Sequence, residues 1–377
     1  MDDAYRLQVD TPLASLDPRQ WDRLAGEHPT LSHAYFSALH ETGCASPRSG
    51  WTPFFLTLHH AGQLAGAVPL YLKTHSRGEY VFDHAWADAY ERHGLRYYPK
   101  LLAAVPFTPV PGPRLLAVDA PARRLLAQGL VDLASTLKLS SLHVLFAPPD
   151  DIAALRQAGC LVREGVQFHW RNAGHADFDS FLAGFNHDKR KKLRQDRKKV
   201  HAQGVSFQHL SGRQIGTAEL AFFYACYERT YLEHGNPPYL TAAFFERLLA
   251  EQSDSLVLVL AHRQGQPLAC ALNLRGGDAL YGRYWGTMQF LPGLHFETCY
   301  MQAIEYCIRQ GLSRFEGGAQ GEHKMARGLM PVPTQSAHWI ADPRFAAAID
   351  DFLGRETTAV NEYLDELARH TPLRRGD

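Results

Sequence analysis

Apolar residues in two stretches of the chain form paired runs separated by a short glycine-bearing break, the pattern of a β-hairpin. Residues 54–72 (FFLTLHHAGQLAGAVPLYL) give an apolar run, a turn at His60-Ala61-Gly62-Gln63 and a second run. Residues 257–274 (VLVLAHRQGQPLACALNL) repeat it, with Gly265-Gln266 in the place of Gly62-Gln63. A third strand is predicted after each hairpin, at 79–82 and at 279–285, followed by a loop and a helix, at 122–139 and 298–310. The second helix carries Tyr300, Met301, Ile304, Cys307 and Ile308 at the three-to-four spacing of one buried face, and Gly311 stands at its C-cap. Each helix runs into a further strand, at 141–147 and 313–315, and earlier helices are expected at 21–41 and 218–231. The same order of elements therefore occurs twice. It predicts an α/β chain of α+β character with two similar domains, residues 1–170 and 171–377, each a mixed twisted sheet flanked by helices and containing a right-handed crossover. A charged helix at 186–203, started near Asn186 and ended at Gly204, opens the second domain.

Size fits this division, because 377 residues exceed what a single core usually organises. Lys plus Arg and Asp plus Glu are equal at 39 each, so no global field draws the molecule to nucleic acid or an anionic membrane, and any electrostatic partner is met by a local patch. The six cysteines are scattered without a C-x-x-C pair, as expected of reduced thiols in a cytoplasmic protein. The start Met1-Asp2-Asp3-Ala4-Tyr5-Arg6 is acidic and lacks an apolar leader core, and no stretch has the apolar length of a membrane span.

The stretch FNHDKRKKLRQDRKKVHAQG at 185–204 and the following Val205-Ser206-Phe207-Gln208 resemble the Fem peptidoglycan-bridge aminoacyltransferases, in which a Lys/Arg-rich helix opens the second of two GNAT (acyl-CoA N-acyltransferase) domains. Four further stretches, at 82–94 (FDHAWADAYERHG), 97–116 (YYPKLLAAVPFTPVPGPRLL), 282–286 (GRYWG) and 318–331 (GAQGEHKMARGLMP), resemble the bacterial family of N-acyltransferases labelled peptidoglycan biosynthesis or recognition proteins. The resemblance covers nearly the whole chain. It implies two tandem GNAT domains and transfer of an acyl or aminoacyl group from a carrier to an amine, by direct attack in a ternary complex. The acceptor implied is a small molecule or a cell-wall precursor.

Such a transfer needs a held donor, a neutral amine, a proton acceptor and a group that stabilises developing charge. The segment 82–90 gathers two carboxylates, an imidazole and three aromatic rings. Asp83 is a candidate base or amine ligand, His84 a candidate catalytic residue and Asp88 a candidate substrate ligand; the competing reading is a loop in which Asp83 and Asp88 cap turns and His84 is satisfied by backbone. Glu316, just before Gly317-Gly318, is a second candidate base, because the glycines let a ligand approach the backbone. Arg283 and Tyr284, on the strand that faces the donor in this fold, are candidate substrate ligands, as are Glu297, His323, Lys324 and Arg327 from adjoining loops. The last three also suit a phosphate or carboxylate.

In GNAT enzymes the loop before the central helix cradles the CoA pyrophosphate. Here that loop is 289–296, with Gly293, Leu294 and His295 as the candidate cofactor contacts, and it departs from the usual pattern in having one glycine and a proline. No permanently bound cofactor is expected. Acyl-CoA is the expected co-substrate, with aminoacyl-tRNA and acyl carrier protein as alternatives. The basic residues from Lys189 to Lys199 offer a face for either phosphate-rich partner, or are simply solvated. His295 and Cys299 lack the further ligands a metal would need, so no metal is expected. A non-catalytic binding protein of the same fold is the alternative from another class.

Overall fold

The computed structural model describes residues 4–10, 12–319 and 321–374; Met1, Asp2 and Asp3, read above for a leader, lie outside them. The strands are β1 (Arg6–Asp10), β2 (Trp51–His60), β3 (Gln63–Lys73), β4 (Lys100–Ala103), β5 (Leu116–Ala117), β6 (Ser141–Ala147), β7 (Leu161–Arg171), β8 (Val205–Ser211), β9 (Leu256–Arg263), β10 (Gln266–Gly276), β11 (Ala279–Thr287), β12 (Arg314–Glu316) and β13 (Met330–Ile340). Both expected hairpins are present and turn alike. Ala61 and Gly62 have φ of 48° and 78°, and Gln264 and Gly265 have 53° and 76°. Two consecutive positive φ values make a type I′ turn, whose twist matches that of the strands it joins.

The chain folds as two compact units, residues 1–166 with 333–363, and residues 167–332 with 364–377. Strand order in the first is β1-β2-β3-β4-β6-β13, and in the second β8-β9-β10-β11-β12-β7. Each series holds one parallel pair, β4 with β6 and β11 with β12, and is antiparallel elsewhere. The units are thus two copies of one topology. They differ from the division at residue 170 because the last strand of the first sheet is β13: Ala337, His338, Trp339 and Ile340 pair with Val144, His143, Leu142 and Ser141. The helix after β13, Pro343–Arg369, sets Phe345, Ile349 and Leu353 against Trp86, Tyr90 and Tyr97, which fixes that return.

Two predicted elements change. Residues 79–82 form no strand, and the third strand of the first unit is β4; Glu79 turns inward to Lys100 instead of joining a ladder. The helix expected over 21–41 is two helices, Pro18–Ala25 and His33–Glu41, separated at Gly26 with φ of 62°. In the first core Leu56, Leu58, Val68, Leu70 and Leu142 meet Leu126 and Leu130 of helix Ala120–Thr136. In the second, helix Thr217–Glu233 lies so close to β11 that a Cβ on Gly286 would run into the backbone of Cys226.

That contact gives a paired test by chemical denaturation. Gly286→Ala is expected to lose about 1–3 kcal/mol through overpacking. Gly354→Ala, where a Cβ meets nothing within 4 Å on an exposed helix face, is expected to gain about 0.5–1 kcal/mol from helix propensity. Equal effects at the two sites would contradict the packing described.

Candidate active site

The second unit centres on the three rungs of β12. Arg314, Phe315 and Glu316 pair in parallel with Ala279, Leu280 and Tyr281, and antiparallel with Arg171, Trp170 and His169. Alternation buries Phe315 on one face and puts Arg314 and Glu316 on the other. Arg314 donates from Nε to Glu316 Oε1 at 3.2 Å and from Nη2 to the Tyr281 hydroxyl at 3.1 Å. Glu316 is 6% exposed, and its Oε2 accepts no hydrogen bond, with His169 Nε2 standing 3.9 Å away. Burial raises the Glu316 carboxyl to about 7, against the lowering fields of Arg314 and Arg283. His169 is pushed down to about 4, first by burial and then by Arg314, Arg171 and Lys324, and is neutral at pH 7. The pair therefore offers an uncommitted carboxyl oxygen beside a neutral imidazole.

Beyond this rung β12 ends while β11 continues to Thr287, so the parallel pairing stops at Glu316. Glycines there let neighbouring side chains pack onto the backbone. A Cβ on Gly282 would press on the Phe315 ring at 3.0 Å, and one on Gly317 would collide with Leu329 at 2.5 Å and lie 3.5 Å from Lys324 Cδ and Tyr300 Cε1. Lys324, 3% exposed, donates to Gly318 O at 2.9 Å. Arg327 stacks its guanidinium 3.6 Å from the centre of the Phe296 ring, and the His323 ring lies 5.6 Å from Phe296. His295 sits between Trp285 and Tyr300, at 5.1 and 5.7 Å. The structure thus gathers His323, Lys324, Arg327 and His295 near Tyr300 and Phe296, beside Gly317, the residue after Glu316.

The other expected ligands fall differently. A register shift on β11 leaves Arg283 as the extra residue opposite Leu272 and Asn273, which re-aims it, and its guanidinium lies 5.1 Å from the Tyr284 ring. Tyr284 joins an aromatic cluster with Tyr227 and Phe245, at 5.1 and 5.6 Å. Glu297 is buried and accepts from Arg197 Nε at 3.3 Å and Gln302 Nε2 at 2.8 Å, so it anchors the basic helix His187–Ala202. Gly293 has φ of 81° at the start of helix 294–310, but Leu294 is buried against Val200 and Ala261, and its N–H donates to Leu291 O at 3.2 Å. Part of the expected pyrophosphate cradle is therefore spent within the loop.

In the first unit the density at 82–90 is an amphipathic helix, His84–Arg92, with Trp86 and Tyr90 inward and His84 and Asp88 exposed. Asp83 precedes it without capping it. Asp83 Oδ2 instead binds Lys100 Nζ and accepts from the Tyr97 hydroxyl at 2.6 Å, while Lys100 also donates to Glu79 at 2.8 Å and Ser76 at 2.8 Å. Burial alone would raise Asp83, but Lys100 outweighs it and holds the carboxyl well below the usual range. A carboxylate so stabilised is a poor proton acceptor, and His84 and Asp88 are not near its oxygens by face. Asp83 is thus corrected from base to buried ion-pair partner.

Sequence reasoning missed His169, and a signal existed. The dipeptide His-Trp occurs at 169–170 and 338–339, on β7 and β13, the corresponding last strands of the two sheets. His169 faces Glu316 and His338 faces His143, so His143 is the first unit's counterpart of Glu316. Its ring is spoken for: Nδ1 meets His338 Nδ1 at 2.7 Å, and Nε2 meets Ser141 Oγ at 2.8 Å and the Tyr97 hydroxyl at 3.1 Å.

A family model described as FemAB-like, peptidoglycan biosynthesis/recognition, matches residues 12–375. The crystal structure of FemX aligns with TM-score 0.55 at 12% identity, covering 89% of this chain and 98% of that one. The C-terminal domain of a putative lysylphosphatidylglycerol synthetase from Agrobacterium fabrum aligns with TM-score 0.56 at 11% identity, covering 91% and 97%. A tandem GNAT protein from the clavulanic acid biosynthesis pathway also aligns, at TM-score 0.45 and 13% identity, covering 90% and 99%. No curated protein sequence matches. No helix among the described residues is long and apolar enough to cross a membrane.

The Glu316 carboxyl makes stability pH-dependent with a defined sign. Its folded value of about 7 lies above the ordinary 4.5, so the native state holds an extra proton between those values and loses stability as pH rises through that window. Unfolding of wild type and Glu316→Gln at pH 5 and pH 7.5 is expected to show the variant gaining on wild type at the higher pH, on the order of 3 kcal/mol. A difference that does not change with pH would refute the buried neutral carboxyl.

Proposed function

Since the chain belongs to the FemAB-like family of peptidoglycan biosynthesis/recognition proteins and is built from two tandem GNAT domains, we propose that it is an N-acyltransferase acting on an amine of a cell-wall precursor. The observation that carries this reading is Glu316: a buried carboxyl at about 7, one oxygen held by Arg314 and the other without a hydrogen bond, at the last paired position of β12 and followed by two glycines. The amine nitrogen attacks the donor carbonyl carbon, the carbon–sulfur or carbon–oxygen bond to the carrier breaks, and Glu316 Oε2 takes the amine proton. The carrier leaves with its electron pair and takes that proton from Glu316, becoming a thiol or hydroxyl and returning the carboxylate. Arg314 keeps the carboxylate oriented, and His169 bounds the site on the β7 side as a neutral ring.

Catalysis is assigned to the second unit. In the first, the corresponding position is His143, sealed by His338, Ser141 and Tyr97, and the nearby carboxylates Asp83 and Glu79 are held by Lys100. Acyl-CoA is the proposed donor. Aminoacyl-tRNA is a second reading, favoured by the committed Leu294 N–H and by the basic helix, on which His187, Arg190, Lys191, Arg194 and Lys198 share one stripe along a groove of about 320 Å³. That stripe, within the run from Lys189 to Lys199, is the proposed contact for RNA or a carrier protein in the cytoplasm.

Two measurements test this. Glu316→Gln is expected to lower kcat by about 10²- to 10⁴-fold and to abolish the rise of rate with pH near 7, while the exposed pair His84→Ala and Asp88→Ala leave rate unchanged. An active Glu316→Gln enzyme with the wild-type pH profile would overturn the assignment. For the donor, thermal unfolding with acetyl-CoA, longer acyl-CoAs and CoA is expected to show a dose-dependent rise; activity abolished by RNase, without such a rise, would select aminoacyl-tRNA instead.

A further inference from the structure

The two units bury positive charge in opposite ways. In the first, Lys100 is matched by Glu79 and Asp83, so its burial is compensated by two carboxylates. In the second, Lys324 is as deeply buried and meets a single carbonyl, Gly318 O. A buried ammonium with one neutral acceptor is costly, and that cost is ordinarily relieved by an anion. The surrounding groups add to the imbalance. Arg327 spends one N–H on His323 O at 2.8 Å and stacks on Phe296, which leaves the edge of its planar fork for a ligand. His295 and His323 complete the cluster, and Tyr300 lies between them at 5.7 and 6.2 Å. The other titratable groups that face it are Cys299, a neutral thiol raised by burial, and Asp196, whose field reaches Arg327 from the basic helix. Neither Lys324 nor Arg327 makes an ion pair among the described residues.

We propose that His295, His323, Lys324 and Arg327 form a receptor for a carboxylate or phosphate group carried by the substrate whose amine Glu316 deprotonates. The inference rests on the Glu316 reading for the identity of that substrate, but the receptor itself is a separate site. Its place follows from the backbone: Gly317 lies beside the Lys324 stem and Gly318 binds its ammonium, one and two residues beyond Glu316. The proposed base and the proposed receptor therefore adjoin one stretch of backbone, Glu316-Gly317-Gly318. Burial lowers Lys324 to about 8 and His295 to about 4, and His323, Lys324 and Arg327 each depress His295 further.

The test is an NMR titration of the His295 and His323 rings in the full-length protein, with inorganic phosphate, with acetate, and with chloride at matched ionic strength. Bound anion is expected to raise both imidazole values by at least about one unit. A response to phosphate alone or to acetate alone supports the site and assigns its chemistry; no response to either, or an equal response to chloride, overturns it. Arg327→Gln, at a half-buried position, is expected to weaken the response at least tenfold, and Lys324→Met to abolish it; variants that respond like wild type also overturn the site. Repeating the titration in Glu316→Gln separates the two readings. An intact anion response in an inactive variant supports both, whereas an inactive variant with no response leaves the base in place and removes the receptor.

Discussion

Three rungs of parallel pairing between β11 and β12 hold the second unit's chemistry. They place Glu316 between Tyr281 and His169, with Arg314 on the same face two residues earlier. The pairing stops at Glu316, and Gly282 and Gly317 let Phe315 and Leu329 pack directly onto the backbone there. The carboxyl is therefore dry enough to be raised toward neutrality, at the last paired position of its strand.

The same topology in the first unit reaches the opposite result. The rung corresponding to Glu316 holds His143, and the space beside it is occupied by Trp86, Tyr97, Asp83 and Lys100. Both histidines of the facing pair are lowered by burial and stay neutral, so their Nδ1 atoms must divide the roles of donor and acceptor. This unit has built a polar core around Lys100, whose ammonium binds Asp83, Glu79 and Ser76. Its satisfaction is partial, since Asp83 Oδ1, Glu79 Oε1 and His338 Nε2 make no hydrogen bond, and burial raises Glu79 to about 7.

Much of the architecture was legible in the sequence because it rests on local patterns. Two type I′ hairpins, the strand at 141–147 and the helix capped by Asn186, whose side chain accepts from Lys189 N at 3.0 Å, follow from turn chemistry and apolar spacing. Glu316, the proposed base, drew notice by its place between an apolar strand and two glycines. What local pattern does not carry is partner choice. Strands β7 and β13 present the same His-Trp pair to a parallel couple, so either suits either sheet, and a contiguous boundary at 170 follows naturally from the sequence. Asp83 was misread for a related reason: its lysine lies 17 positions away and its tyrosine 14, and nothing near it in the chain announces them.

The equality of positive and negative residues conceals how unevenly the charges are used. Asp83 and Lys100 are paired, and the pairing costs Asp83 its basicity. Glu316 and Lys324 are opposite charges on neighbouring segments that make no such pair among the described residues. The Lys324 ammonium is turned onto Gly318 O. Contact with a lysine does not by itself decide whether a buried carboxyl stays raised: Glu79 accepts from Lys100 at 2.8 Å and is still pushed up to about 7 by burial, whereas Asp83, bound to the same lysine, is held low. Burial likewise raises Glu316, against the field of Arg314, and two residues further on, at Gly318, Lys324 meets a single neutral carbonyl. The second unit thus sets a raised carboxyl and an unmatched positive charge on neighbouring segments.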